Sequence, residues 1–123
     1  MREALKTYLR TALTNNNIWP GKRAPQGTDV SHINFWKVST VQIYTHDGFS
    51  KLIEARFQFD CKGKKLEDAE NLAEAVKGAI DAFHGTMGTV KVASIFVENE
   101  GDEYLDPTGW HVVSTDYIVR YYD

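Results

Sequence analysis

Hydrophobic positions along this chain recur with two different periods. Near the N-terminus, Leu5, Tyr8, Leu9, Ala12 and Leu13 share one helical face, with Arg2, Lys6 and Arg10 on another. That spacing predicts a short amphipathic helix. Asn15, Asn16 and Asn17 end it, because their side chains compete for backbone hydrogen bonds. From Ile18 to Ser31 there is no period, and Pro20, Gly21, Pro25 and Gly27 predict a long turn-rich connection of a length that tends to be functional inside a small domain.

The period then becomes that of strands. Ile33 to Tyr44 is β-branched and aromatic with polar interruptions, and His46, Asp47 and Gly48 predict a turn. Between Leu52 and Cys61, Ile53, Ala55, Phe57, Phe59 and Cys61 alternate with Glu54, Arg56, Gln58 and Asp60, which predicts a half-buried antiparallel strand. Helical spacing returns from Leu66 to His84 through Ala69, Leu72, Ala73, Val76, Ala79, Ile80 and Phe83. Glu67, Asp68 and Glu70 complement the helix dipole, Gly85 reads as the stop, and Gly78 reads as a close packing contact. Thr89 to Val97 and Trp110 to Tyr122 complete the strands, joined by an acidic connector from Glu98 to Gly109. The order helix, strands, helix, strands predicts an α+β fold over a single domain, 1–123: an antiparallel β-sheet of about four strands covered by two helices.

Composition narrows the class. With 123 residues, 42% of them hydrophobic, the chain is long enough to bury a core without staples. The single cysteine, Cys61, excludes an internal disulfide. No long apolar stretch predicts a signal peptide or membrane span, so a protein of the cytoplasm, or of something assembled there, is expected. The net charge of -3 divides unequally: residues 1–65 carry eleven Lys and Arg against five Asp and Glu, and residues 66–123 carry three against twelve. Balances of +6 and -9 describe a bipolar folded domain better than a nucleic-acid-binding arm or an acidic tail.

Candidate chemistry is sparse. His32, His46, His84 and His111 are scattered, with no i, i+4 pair for a metal. Cys61 follows Phe59 on an apolar strand face and reads as a small buried hydrophobe in preference to a nucleophile. No G-x-S-x-G elbow or phosphate-binding glycine loop is present. Neither a catalytic group nor a cofactor or metal site is therefore expected. Glu98, Glu100, Asp102, Glu103 and Asp106 could attract a hard cation, but their spacing does not match a calcium loop, and a solvated hairpin tip accounts for them better. Lys22, Arg23 and Trp19, with Lys62, Lys64 and Lys65, supply parts for single-strand binding without a recognition motif. An interaction protein fits best, with aromatic residues at Trp19, Tyr44, Phe49, Tyr104 and Trp110 and unlike charges for a head-to-tail ring.

Several segments in series resemble one family. These are Ile18-Trp19-Pro20, Arg23-Ala24-Pro25-Gln26-Gly27, Gly48, Glu54-Ala55-Arg56-Phe57-Gln58-Phe59-Asp60, the helix ending Phe83-His84-Gly85, and Asp116-Tyr117 through Tyr121. In that order, over essentially the whole chain, they resemble the small tail completion proteins of long-tailed bacteriophages and prophages. The chain departs from that pattern at Ser31-His32 and at Cys61-Lys62-Gly63-Lys64-Lys65. The resemblance implies a non-enzymatic virion protein of the tail neck, assembled in the host cytoplasm. It would form a ring, usually six-fold, that terminates the tail tube and joins it to the head. Implied partners are further copies of the chain, the major tail tube protein and the head connector or stopper, with DNA passing through the lumen unbound.

On that reading the interface residues are Trp19, Arg23, Pro25, Tyr44, Asp47, Gly48, Asp102, Glu103 and Asp106. The 18–31 and 44–50 segments would dock partners. The 98–109 connector would face the lumen or a neighbouring subunit. Alternatives are another neck protein, such as a head-side adaptor or stopper, or a small nucleic-acid-binding or regulatory protein of prophage origin.

Overall fold

Strand-forming residues dominate the fold. The computed structural model describes residues 1–15, 17–21, 30–44, 51–107 and 109–122, with residues 44, 51 and 100–102 described by their backbone. In chain order the elements are α1 (Arg2–Ala12), β1 (Ile18–Pro20), β2 (His32–Tyr44), β3 (Lys51–Gly63), α2 (Leu66–Ile80), β4 (Gly85–Met87), β5 (Val90–Leu105) and β6 (His111–Tyr122). Among the described residues the strands form one six-stranded sheet in the order β1-β2-β3-β6-β5-β4, curled like a half-barrel.

The expected four-stranded sheet under two helices is therefore wrong. The alternating set of β3 does face a core, as predicted: Ala55, Phe57, Phe59 and Cys61 are buried, and Tyr117 and Val119 of β6 are buried with them. But only α2 lies across the sheet centre, on β3 and β6, whereas α1 packs against β1 and touches α2 and β4. The sheet also runs well past the helices. β1 pairs with β2 in parallel, although its residues carry only a turn signal. A parallel return needs a connection of about a dozen residues, and the stretch between Pro20 and His32 supplies it.

Tertiary contacts set several boundaries that periodicity misplaced. α2 ends at Ile80 instead of running to His84. There the Asp81 carboxylate accepts the Val97 N–H at 3.2 Å, and Ala82 donates to the Ile95 carbonyl at 2.8 Å, so the chain leaves the helix to pair with β5. Gly85 opens β4, where φ of +127° favours glycine, and does not stop the helix. The acidic connector is not a hairpin tip. Residues 98–105 belong to β5, and the turn is confined to 106–110, where Asp106 N–H donates to the Trp110 carbonyl at 2.7 Å.

Gly78 has no neighbour within 4 Å of a built Cβ and is not a packing contact. Gly63 is the tight one: a Cβ there would lie 2.7 Å from Asp68 Cβ and 2.9 Å from Ala69 N, so the absence of a side chain lets β3 pass directly into α2.

At the other end of the fold, Arg10 joins α1 to β1. Its Nε and Nη2 donate to the Ile18 carbonyl at 3.1 and 2.9 Å. Tyr8 joins α1 to α2, donating to the Ala79 carbonyl at 3.3 Å and meeting Phe83 edge-on.

Candidate functional site

Side chains that alternate away from the helices form a polar face with unusual burial. Trp19, Asn34, Asp60 and Ser114 occupy one row across four strands, in backbone register with position 102 of β5. Asp60 is 6% exposed and accepts from the Ser114 hydroxyl and, at 3.1 Å, from the Gln58 amide. Asn34 is fully buried, and its side-chain amide has no hydrogen-bond partner among the described residues; the same holds for the Trp19 indole N–H. His32 meets Trp110 edge-on at 5.0 Å, and the Lys64 ammonium sits 5.9 Å from the Trp110 ring centre. Burial pushes the His32 imidazole below its usual pKa, with the Val30 carbonyl pulling the other way. Arg120 pairs with Glu54 at 2.8 Å and Arg56 with Glu98 at 2.7 Å farther along this face.

On the helix side, α2 and the β5–β6 hairpin enclose an open cleft of about 410 Å³ lined by Glu70, Glu74, Lys77, Glu103, Thr115 and Tyr117. Among the described residues, no group of three His, Cys, Asp or Glu is placed to hold a metal. Cys61 is 1% exposed, and burial pushes its thiol pKa far above the usual range. A thiolate is thereby suppressed.

The sequence-predicted interface residues do not converge. Trp19 lies in β1, half-buried, with the Arg10 guanidinium carbon 4.8 Å from its ring centre. Tyr44 ends β2, paired with Lys51 at the other end of that strand. Asp102 and Glu103 lie in β5, paired with Ser114 and Val113. Measured along the sheet, Trp19 and Asp102 are four strand spacings apart, about 19 Å. Asp106 holds the turn into β6, where its carbonyl accepts the Gly109 N–H at 2.8 Å. Arg23, Pro25, Asp47 and Gly48 lie outside the described residues, as do most of the 18–31 connection and the 44–50 turn. Sequence reasoning passed over Asn34, Asp60, Ser114 and the His32–Trp110 contact. Strict alternation marks such positions as solvent-facing, so no local signal could separate them from ordinary surface.

Topology arranges the charges. In the order β1-β2-β3-β6-β5-β4 the first three strands of the chain sit together, and so do the last three. Each sequence half thus supplies one run of neighbouring strands, while the helices cross the division: α2 packs mainly on β3 and β6, and α1 touches both β1 and β4. Among described residues, 1–65 carry nine Lys and Arg against three Asp and Glu, and 66–122 three against eleven, of which Glu67, Asp68, Glu70 and Glu74 lie on α2.

No protein-family profile matches the sequence, and no curated protein is significantly similar to it. The fold does match a solved structure described as the virion of a native gene transfer agent particle. The TM-score is 0.72 at 11% identity, over 100% of this chain and 95% of that one. At that identity the likeness shows a shared fold: the chain has the architecture of a component of that particle.

Proposed function

We propose that this chain is a structural virion protein. It forms a ring at the head-proximal end of a phage-type tail tube, ends tube polymerisation and joins the tail to the head connector. The observation that carries the reading is the segregation of charge by topology. A head-to-tail ring needs two different, complementary patches on every subunit, and this sheet order keeps the strands of the basic half together at one side and those of the acidic half together at the other. The full-length fold likeness to a virion component supports the same class, as does the series of segments resembling tail completion proteins. Partners on this reading are further copies, the tail tube protein and the connector or stopper, with DNA passing without specific contact. No chemical step is assigned to the protein.

Particles assembled without the protein test the role. Tails of uncontrolled length would support termination, whereas full heads lacking tails, beside tails of normal length, would reassign it as a head-side adaptor or stopper. Binding to purified tail tubes, followed by light scattering and electron microscopy, is the direct assay; a protein that never caps tubes is not a terminator.

A further inference from the structure

Among the described residues the sheet has two uncovered ledges. β1 covers β2 only at Ile33–Phe35, and the bond from Gly21 N–H to the Phe35 carbonyl is the last on that edge among the described residues. From Lys37 to Tyr44 the edge of β2 carries no strand among the described residues. β4 covers β5 only at Val90–Val92, and the 81–83 segment occupies it as far as Val97. Residues 98–105 of β5 therefore carry no strand among the described residues. Both ledges are open to solvent: Val38 and Val41 are 51% and 56% exposed, Tyr104 and Leu105 47% and 63%. Such edges are templates for strand addition.

We infer that the ring contact is a β-ladder between copies, in which the β5 ledge of one subunit pairs antiparallel with the β2 ledge of the next. This rests on the ring reading above. Strand polarity fits it. β2, β3, β6 and β5 each run antiparallel to the one before, so β5 runs opposite to β2. Copies related by rotation keep that relation. Shape fits as well. β1 lies at the end of β2 level with the β5 ledge, and β4 lies at the end of β5 level with the β2 ledge. Joining the ledges lets each short strand abut the end of a neighbour's ledge and staggers the copies along the strands. A closed ring absorbs stagger as strand tilt.

Charge selects this pairing over its rivals. The β5 ledge carries Glu98, Glu100, Asp102 and Glu103, whereas the β2 ledge carries Lys37 and no acid. Two β5 ledges would repel, because like charges directly opposite destabilise a ladder. The bulges beside Val38, Glu98 and Gly101 bend the ledges but leave Asp102–Leu105 in regular register with β6.

The experiment uses the full chain, alone at rising concentration and with tail tube protein. Size is read by light scattering, and contacts by cross-linking Val41→Cys and Tyr104→Cys with a short bismaleimide. Val41 and Tyr104 lie on the same sheet face by register, and Cys61 is buried and silent. The double variant should give a ladder of covalent multimers, and each single variant none. V38E/V41E should shift assembly about tenfold or more to higher concentration, while V38K/V41K should leave it intact or strengthen it; circular dichroism confirms that both are folded. Rings that form but neither cross-link nor respond to these charges overturn the ladder and leave the ring standing. Dimers from V41C alone overturn it in favour of β2–β2 pairing. A chain that stays monomeric in every mixture removes the ring and the ladder together.

Discussion

Gly63 and Gly78 exchange the roles their positions predict. Gly78 stands exposed on α2 with open space around it, so Gly78→Ala should stabilise the protein by up to ~1 kcal/mol through helix propensity. Gly63→Ala places a methyl within 3 Å of the Ala69 backbone nitrogen and should cost about 1–3 kcal/mol as overpacking. Urea denaturation of the two variants gives both signs in one experiment. His32 adds a pH dependence. Burial holds its folded pKa below the usual 6.5, so below that value the unfolded chain takes up a proton that the folded chain resists. The His32 contribution to stability is complete above about pH 6.5 and declines as pH falls through it toward the lower folded value. His32→Gln should flatten that part of the stability profile; an unchanged slope would show that another group titrates.

Among the elements, α2 and β1 are held in different ways. α2 starts at Lys65, which provides no side-chain cap, while Glu67 and Asp68 complement its dipole. Lys65→Ser should add about 0.5–1 kcal/mol by satisfying a free N–H of the first turn, read as a higher melting temperature. β1 has three residues, and the Arg10 fork on the Ile18 carbonyl fastens it. Arg10→Ala should cost about 1–3 kcal/mol and speed amide exchange in residues 18–20 ahead of the rest of the sheet. Arg10→Lys should recover only part, since an ammonium lacks the two-pronged geometry. Both helices and β3 are legible in the sequence, because each has its own period. β2, β6 and the first half of β5 are legible from their β-branched and aromatic residues, whereas the second half of β5 reads as a connector. β1 and β4 are not legible. Each has three residues, too few for a period, and each exists because a neighbouring edge offers hydrogen bonds.

For the whole molecule, charge is the property that changes meaning on folding. If the acidic and basic flanks meet between copies, raising salt should weaken self-association steeply while leaving the fold intact, because surface charges are screened within about 10 Å at 0.1 M. Light scattering across a salt series checks this, and assembly insensitive to salt would contradict charge matching between copies. Of the candidate interface residues, sequence alone marks Asp102, Glu103 and Asp106 as part of an acidic segment. It could not show that this segment is a strand edge, or that Asp60 and Asn34 are buried behind their alternation. Local pattern determined which residues face the core of β3, α1 and α2, because the helical and strand periods are written in neighbouring residues. Strand order decided the rest. Whether charges far apart in the chain end up interleaved or on opposite flanks depends on which edges pair, and pairing is a long-range choice that no window of sequence contains.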